Sequence, residues 1–426
     1  MKSALWRLTT AVIDFPRVVA LAGILSLLHA KLVEFTYDRV PDAYMDEVFH
    51  LNQTRAYCDG DYKYWNNMIT TPPALYLLTP RFLCHGHERY INSFLWGLCF
   101  LGLVRYRKKL FPRSNVAEAI LTSMVVSILP VLFDTSILYY TDLLSLTAVI
   151  WGLSTANPKI SVAFFAVAVV TRQTNILWAG LYVAHGLNSI FNLQRPFYSL
   201  WKVIQKYATF VILALLFVLF VVFNEGIVLG DRTAHEPVLH LPQVWYLLAF
   251  IAFSAWPVLL FDIFHIKSRL IRYWFITAAL IAAIFASVSC CTIAHKYLLA
   301  DNRHFTFYIW RRWFAKYSWA PLASGFIYII AVFGIIPKLN QKLGPFLTLA
   351  TSLATAACLI PAPLLEFRYF IIPYALWRIS LPEHRRSVLV LELFSHVVVN
   401  LAALYLFFEK PFTWSNHPGE TQRFMW

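Results

Sequence analysis

The stretch Tyr44-Met45-Asp46-Glu47-Val48-Phe49-His50 contains three side chains that exchange protons readily, Asp46, Glu47 and His50. Asp46 and His50 are four positions apart, so a helix through this stretch would place them on one face. Carboxylates and imidazoles gain and lose protons between about pH 4 and 7, which is what general acid–base catalysis requires. We therefore expect chemistry at these residues, although one of them could instead cap a helix or pair with Arg55.

The three residues belong to a polar segment that runs from Glu34 to Pro73. The chain has 426 residues, of which 59% are hydrophobic and only 14% are charged, so a strongly polar segment stands out in it. Its acidic side chains outnumber its basic ones, Arg39, Arg55 and Lys63; they are Glu34, Asp38, Asp42, Asp46, Glu47, Asp59 and Asp61. This excess of carboxylates marks the segment as the first candidate site.

Apolar runs of nearly 20 residues recur along the chain, and the mean hydropathy is +0.60. Such runs cross the hydrocarbon core of a bilayer as helices. We predict an all-α polytopic membrane protein with a single domain over residues 1–426, because no repeat or linker interrupts it. The first apolar run, 18–33, lacks a cleavage site and indicates a retained signal anchor. Further spans are predicted at about 89–104, 116–133, 143–156, 160–171, 175–190, 207–223, 243–263, 273–291, 321–336 and 345–362, with one or two more between 366 and 408.

Positive charge sets the predicted orientation. The run Arg105-Tyr106-Arg107-Lys108-Lys109 contains no acid, which is typical of the cytosolic side of a span, so the polar segment lies across the membrane from it. The loop 292–321 should be on the side of the polar segment, yet it carries five basic residues against Asp301 alone. Either the span count is wrong by one, or this loop binds an anion. The side of the C-terminus stays open.

Arginine and histidine in three loops could hold such an anion. Arg303 and His304 lie in the basic loop, Arg172 follows the predicted span 160–171, and Arg368 lies in Glu366-Phe367-Arg368-Tyr369-Phe370. Charge-assisted hydrogen bonds from these side chains suit a phosphate. The alternative is that the arginines only form ion pairs or anchor the chain at the membrane surface.

A carboxylate loop together with basic loops favours a transferase over a transporter. A membrane enzyme that moves a group from a lipid phosphate needs a base for the acceptor hydroxyl and cations for the departing phosphate. Transporters place ionisable residues at mid-depth in broken helices, whereas here Glu392 is the clear exception within the apolar runs.

The six cysteines show no metal-ligand spacing, so a zinc site is not supported. Cys58 and Cys84 flank the polar segment and could pair on an extracytosolic side, but their spacing does not favour a disulfide over two free thiols.

Several blocks of the chain resemble the family of dolichyl-phosphate-glucose-dependent alpha-1,2-glucosyltransferases of the endoplasmic reticulum. The blocks are 44–50, 55–58, 68–76, 172–175, 299–304, 365–370 and the closing Phe424-Met425-Trp426. The resemblance implies a GT-C bundle of about 12–14 transmembrane helices with a functional first luminal loop, 34–88, and a basic luminal loop, 292–321. It also implies dolichyl phosphate glucose as donor and the diglucosylated oligomannose of dolichyl diphosphate as acceptor, joined in the terminal alpha-1,2 linkage before N-glycosylation.

Residue roles follow from this resemblance. Asp46 is the expected base, with Glu47 as the alternative, and Glu47 or His50 would orient it or bind acceptor hydroxyls. The expected contacts to the donor phosphate are Arg303, His304, Arg368 and Arg172. His235 and Glu236 are candidate acceptor contacts, and Trp65 is either a sugar contact or an aromatic residue at the membrane interface. Transfer from a beta-linked lipid phosphate to an alpha product inverts the anomeric carbon, so one base suffices.

No DxD pair occurs in a luminal loop, so we predict no metal and no cofactor. The expected partners are the two dolichol lipids and membrane lipid, with no nucleic acid, and the expected state is a monomer. Two other functions stay open: a GT-C transferase that uses dolichyl phosphate mannose, and a lipid flippase or transporter.

Overall fold

Helices form most of the computed structural model, which describes residues 2–233, 236–383 and 385–426. The first half of the chain contains α1 (Lys2–Arg39), α2 (Glu47–Cys58), α3 (Ala74–Leu78), α4 (Tyr90–Leu110), α5 (Val116–Ser127), α6 (Pro130–Ser136), α7 (Asp142–Ser154), α8 (Pro158–Thr171), α9 (Ile176–Ile190), α10 (Pro196–Lys206) and α11 (Ala208–Phe223).

The second half begins after a long loop and ends in two short strands. It contains α12 (Pro242–Ser254), α13 (Trp256–Leu260), α14 (Ile263–Arg272), α15 (Trp274–Cys291), α16 (Lys296–Ala300), α17 (Phe305–Ile309), α18 (Ala320–Ala323), α19 (Gly325–Leu359), α20 (Ile371–Ser380) and α21 (Arg386–Glu409), followed by β1 (Phe412–Trp414) and β2 (His417–Gln422). The two strands pair antiparallel. Short 3₁₀ turns lie at Arg81–Leu83, Gln173–Asn175 and Phe367–Phe370, and a π turn at Trp310–Phe314.

Local sequence explains where several helices begin. Asn115 and Asn157 accept hydrogen bonds from the backbone N–H two residues on, which caps α5 and α8. Proline occupies the first turn of α6, α8, α10 and α12, where its missing N–H is not needed by the helix. The same prolines break the apolar runs into shorter helices.

The chain is an all-α, multi-pass membrane protein. Among the described residues, four helices are long and apolar enough to cross a membrane: Pro16–Arg39, Trp274–Cys291, Ala320–Leu359 and Arg386–Glu409. Two bent pairs, α5 with α6 and α10 with α11, raise the number to six if each is one span. Other predicted spans are apolar helices such as α7, α8 and α12, which are shorter than the ~20 residues that a hydrocarbon core requires. The total of 12–14 spans therefore stays a prediction.

Helix α19 is bent rather than straight. Its 35 residues would extend about 52 Å, well beyond the ~30 Å hydrocarbon core, but Gly344 has φ 78° and ψ 169° and interrupts it. Just before α19, Ser324 accepts a hydrogen bond from Trp313, and just after it, Ile360 accepts one from His240. The bend thus separates two legs, at the place where the sequence predicts a connection between spans 321–336 and 345–362.

Polar contacts define two ends of the bundle. At one, which we call the Arg107 end, Arg107 binds Glu118 and the carbonyls of Ile379 and Leu381, and Lys342 binds the carbonyl of Leu110. The α4–α5 connection, the α20–α21 connection and the bend of α19 therefore lie together at this end.

The other end, which we call the Asp46 end, gathers the polar first loop, the loop 292–321 and the C-terminus. A small apolar cluster that includes Val40, Tyr44, Tyr140, Phe407 and Met425 joins the first loop to the C-terminus, and Met425 donates its N–H to the carbonyl of Arg303 in the basic loop. Arg423 also donates a hydrogen bond to the carbonyl of Arg39, 3.2 Å away. The basic loop and the C-terminus therefore lie at the same end of the bundle as the first loop, and the span count stays a prediction.

One ion pair lies inside the apolar bundle. Glu392 on α21, which the sequence shows as an exception within the apolar runs, binds Arg378 on α20 at 2.6 Å, and both side chains are fully buried. Because an unpaired charge is very unfavourable in the bilayer, Glu392 is explained as the partner of Arg378.

Candidate active site

The start of α2 positions Asp46 and His50. Met45 adopts φ 55°, a turn that lets Tyr44 accept the N–H of Glu47 and places Asp46 immediately before the helix. The N–H of His50 then binds the carbonyl of Asp46 at 3.3 Å. Asp46 and His50 lie within one helical turn and face the same surroundings, as their spacing predicts.

Glu47 points the other way. Its carboxylate accepts hydrogen bonds from Arg89 Nε and Nη2, each at 2.7 Å, and from the backbone N–H groups of Tyr44 and Tyr139. Its side chain is 0% exposed. Protein atoms enclose this carboxylate, so of the two roles expected for Glu47 the burial favours orienting Asp46 over binding acceptor hydroxyls. Its role stays a prediction.

Arg368 connects Asp46 to a second carboxylate. Arg368 Nη2 lies 3.1 Å from Asp46 Oδ2, Arg368 Nε lies 2.6 Å from Glu366 Oε1, and its guanidinium stacks over the ring of Tyr140 at 5.1 Å. Asp46 remains 47% exposed, whereas Arg368 is 12% exposed. The carboxylate of Asp46 thus faces open space beside a guanidinium that is held in place.

Arg303 and His304 come from the basic loop. Arg303 forms a two-pronged ion pair with Asp301, at 2.9 and 2.7 Å, and a third hydrogen bond to Gln422. Electrostatic effects of Arg303 and His304 both reach Asp46. The two residues therefore belong to the surroundings of the candidate base.

The C-terminus holds this loop in place. Met425 donates its N–H to the carbonyl of Arg303 and accepts one from Phe305. The indole of Trp426 packs against Phe305 at 4.9 Å and against Phe367 at 5.9 Å. The last residues of the chain thus connect the basic loop to the turn that carries Arg368.

Arg172 completes the group. Its Nη2 lies 2.9 Å from Asp142 Oδ1, an ion pair that is not aligned as a hydrogen bond, and its Nε donates to the hydroxyl of Thr141 at 3.3 Å. Asp142 acts electrostatically on Arg368, and Arg172 acts on His50. We call this set the charged cluster; its members are Asp46, His50, Asp142, Arg172, Asp301, Arg303, His304, Glu366 and Arg368.

The electrostatics of the charged cluster keep Asp46 and Glu366 ionised. Burial raises the pKa of the Asp46 carboxyl, but Arg368 and His50 outweigh it and hold that pKa below its ordinary value. Burial likewise raises the pKa of Glu366 and is outweighed by Arg368. Burial lowers the pKa of His50 to about 4. Near neutral pH, Asp46 is a carboxylate and His50 is a neutral imidazole.

His50 has its own partner. Its Nδ1 lies 2.7 Å from the hydroxyl of Tyr76, and His50 is almost fully buried. The hydroxyl of Tyr139 continues the polar network between those of Thr54 and Thr79. These bonds fix the inner face of α2 and hence the direction of Asp46.

A disulfide joins the end of α2 to the loop before α4. Cys58 and Cys84 are bonded, although their spacing alone did not favour a disulfide. Arg55 lies in the same region and pairs with Glu88 at 2.8 Å, so it is not the partner of Asp46, Glu47 or His50. These links bring α2 close to Arg89, the residue that binds Glu47.

The predicted acceptor residues do not join the charged cluster in the part of the chain that the structure describes. Trp65 is half-buried against the hydrophobic core, and Glu236 is exposed. His235 lies outside the described residues. The loop that carries His235 and Glu236 does contact the first loop. Its Gly230 adopts φ 58° and packs against the carbonyls of Asn67 and Ile69. The acceptor role of these residues stays a prediction.

Sequence reasoning missed several members of the cluster. Asp142, Asp301 and Glu366 each bind an arginine that was singled out, and Tyr140 stacks on one. Asp301 and Glu366 lay in the quoted blocks, so a search for a carboxylate within two residues of each arginine could have found them. Asp142 carried no such signal, because it is 30 positions from Arg172.

The residues of this site fit proton transfer and phosphate binding better than metal binding. No group of three His, Cys, Asp or Glu side chains that could hold a metal ion occurs among the described residues. A half-exposed carboxylate can accept a proton, and Arg368 beside it, with Arg303 and Arg172 elsewhere in the charged cluster, can stabilise negative charge on a departing group.

The chain was compared with known proteins. The model of the DIE2/ALG10 family matches residues 40–195 and 182–379. A human (Homo sapiens) relative named Dol-P-Glc:Glc(2)Man(9)GlcNAc(2)-PP-Dol alpha-1,2-glucosyltransferase is 32% identical, over 90% of this chain and 93% of its own. Relatives of the same name from Drosophila melanogaster and Arabidopsis thaliana are 32% and 28% identical, over 90% and 96% of this chain and 94% and 99% of their own. No solved structure matches the chain. Since the family model spans most of the chain, including Asp46, Arg172, Arg303 and Arg368, this protein belongs to the DIE2/ALG10 family.

Proposed function

We propose that this protein transfers glucose from dolichyl phosphate glucose to the diglucosylated oligomannose of dolichyl diphosphate, in the endoplasmic reticulum membrane. The product carries the terminal alpha-1,2-linked glucose. The name shared by the human, fly and plant relatives supports this donor and acceptor. The observation that carries the proposal is the half-exposed carboxylate of Asp46 beside Arg368.

Asp46 acts as the general base. A hydroxyl of the acceptor's terminal glucose attacks the anomeric carbon of the donor glucose, its proton passes to the Asp46 carboxylate, and the bond from that carbon to the phosphate oxygen breaks. The phosphate leaves with the bonding electrons and needs no acid. His50, held neutral and bonded to Tyr76, orients Asp46 from one helical turn away.

Arg368, Arg303, Arg172 and His304 bind the departing phosphate. Each arginine already pairs with a carboxylate, at distances of 2.7 to 3.1 Å for Asp301, Asp142 and Asp46. Those carboxylates hold the planar guanidinium groups in a fixed direction, so less side-chain freedom is lost when a phosphate arrives. A guanidinium has five N–H groups, which leaves donors for the ligand after one carboxylate is bound.

The Asp46 end faces the lumen in this proposal. The disulfide Cys58–Cys84 supports that side, because disulfides persist in the lumen of the endoplasmic reticulum and are rare in the cytosol. The basic run 105–109 at the opposite end supports a cytosolic location there. A cysteine or glycosylation site engineered between Tyr308 and Ser318 should be modified from the lumen only; labelling from the cytosol in sealed microsomes would contradict this orientation.

The decisive experiment is transfer by the purified protein with a defined donor and acceptor. We expect the acceptor to gain one hexose in alpha-1,2 linkage with inversion at the donor carbon, measured by mass spectrometry and NMR. Dolichyl phosphate mannose in a parallel reaction is the control, and preference for it would support the mannosyl alternative. Lipid movement across vesicles that persists in Asp46→Asn, without transfer, would support the transporter.

A further inference from the structure

A cavity of about 670 Å³ lies at the Arg107 end, between α14 and the bend of α19, and none of its lining residues belongs to the charged cluster. One wall is formed by His265, Ser268, Arg269 and Arg272. Their spacing of i, i+3, i+4 and i+7 places all four on one face of α14. This volume is in the usual range for a small-molecule site.

The other wall comes from both legs of α19, and it includes a buried hydroxyl without a partner. Thr348 lines the cavity, is 6% exposed, and its Oγ1 has no hydrogen bond within the described structure. Thr351 and Thr355 on the same leg donate to the carbonyl four residues earlier. The residue four before Thr348 is Gly344, whose backbone leaves the helix at the bend. An unsatisfied buried hydroxyl is unfavourable, and a ligand oxygen at this wall would satisfy it.

The residues that line the cavity give it a positive charge. No acidic residue is among them. Arg269 is already bound to Asp262, at 3.2 Å, and to the carbonyl of Phe333. Arg272 lies over the ring of Tyr273, with its Cζ atom 5.6 Å from the ring centroid, and has no ion pair with any described residue. An arginine without a carboxylate beside a cavity is suited to a phosphate.

Exposed apolar side chains lie on the helices that form the cavity and on the start of α15. Phe264, Ile271 and Trp274 on α14 and α15, and Leu349 on α19, are all more than half exposed. In a membrane protein such side chains contact acyl chains, and tryptophan marks the headgroup level. The cavity therefore places a phosphate-binding arginine next to a surface for lipid tails, as in basic pockets that bind anionic headgroups.

We propose that this cavity binds the headgroup phosphate of an anionic phospholipid, with Arg272 as its main cationic contact and Thr348 as a hydrogen-bond donor. A free phosphate ester would present the same chemistry, and the apolar surroundings favour the lipid. This site is separate from the proposed transfer reaction, so its test does not depend on that reaction.

The test is native mass spectrometry of the full-length protein released from nanodiscs of phosphatidylcholine with and without phosphatidylinositol. The parent protein should retain phosphatidylinositol. Arg272→Gln should lower that retention by about 10- to 100-fold, because this is the usual loss of affinity when a charge-assisted hydrogen bond is removed. Lys267→Gln is the matched control, because Lys267 is an exposed cation on the same helix but does not line the cavity. Unchanged retention in Arg272→Gln, or equal loss in Lys267→Gln, would overturn the site.

Thr348→Val separates binding from folding. It removes an unpaired hydroxyl, so the unfolding temperature should stay equal or rise, while retention of phosphatidylinositol falls. Retention equal to that of the parent would contradict the assignment of the lipid to this cavity. Displacement of the lipid by soluble inositol phosphate at an equal concentration would overturn the lipid as ligand and identify a free phosphate ester instead.

Discussion

The carboxylates of Asp46 and Glu47 are adjacent in the chain, yet they belong to regions of opposite character. Glu47 and Arg89 form a closed pair inside the protein, in which Glu47 accepts four N–H donors and neither side chain has more than 1% exposure. Asp46 faces the charged cluster, where its one ion pair leaves half of its side chain exposed. The same chemical group is therefore structural in one region and available to a substrate in the other.

The difference follows from how many donors each carboxylate has. A buried ion pair is tolerated only when its remaining hydrogen-bonding capacity is satisfied, and Glu47 meets that condition. It fixes the first turn of α2, so Asp46 can remain partly unsatisfied without a change in direction. We infer that the closed pair supports the open cluster, and the following experiments test that division.

The largest expected effect is that of Asp46→Asn. The substitution keeps the size of the side chain and a hydrogen-bond acceptor for Arg368 but removes the base. We expect transfer to fall by about 100- to 10,000-fold, measured as the initial rate with purified protein, while donor binding changes little. A rate within a few-fold of the parent would move the assignment of the base to another residue.

Glu47→Gln should act on folding rather than on the reaction itself. It leaves the buried guanidinium of Arg89 without its counter-charge, and the loss of one partner of a buried pair usually costs about 3–5 kcal/mol. We expect a large drop in unfolding temperature, measured by thermal unfolding in detergent. Asp46→Asn is the control, since a half-exposed carboxylate should change stability far less. Equal unfolding temperatures for the two variants would contradict the contrast between the regions.

The sequence could predict that the residues proposed to bind phosphate lie together. Arg172, Arg303, His304 and Arg368 come from separate loops, and the alternating spans predicted one shared side for them. In the structure, Arg368, Arg303 and His304 act electrostatically on Asp46. Arg172 and Arg368 act electrostatically on His50. Short polar blocks in an otherwise apolar chain are unfavourable within the hydrocarbon core, so they lie at an end of the bundle.

The division between Asp46 and Glu47 could not be predicted in the same way. The sequence presents two equivalent carboxylates, and the partner that separates them, Arg89, is 42 positions away. The disulfide Cys58–Cys84 was likewise undetermined, because pairing depends on how the first loop folds back on α2. Hydropathy likewise did not show the break between α5 and α6, which falls inside the predicted span 116–133.

Arg368 and Arg303 should affect donor use by an intermediate amount. Alanine at either position removes charge-assisted contacts of about 1.5–3 kcal/mol, or roughly 10- to 150-fold in binding or rate. We expect KM for dolichyl phosphate glucose to rise more than KM for the oligosaccharide, and lysine to be a poor substitute because it cannot make the two-pronged contact. If only KM for the oligosaccharide rose, these arginines would belong to the acceptor's diphosphate.

The smallest expected effect is that of pH, and it distinguishes the open cluster from an ordinary surface carboxylate. Asp46 is active as a base when deprotonated, and its pKa lies below the ordinary value of 3.8 because Arg368 and His50 outweigh the effect of burial. More than about nine-tenths of it is therefore ionised at pH 5, and His50, with a pKa of about 4, is mostly neutral there. The rate of transfer should change by less than about two-fold between pH 5 and 7 and should fall only below the ordinary pKa of 3.8. In Arg368→Gln, the loss of the positive charge should raise the pKa of Asp46 and move that fall to higher pH. An unchanged pH profile in this variant would show that Arg368 does not act on the base.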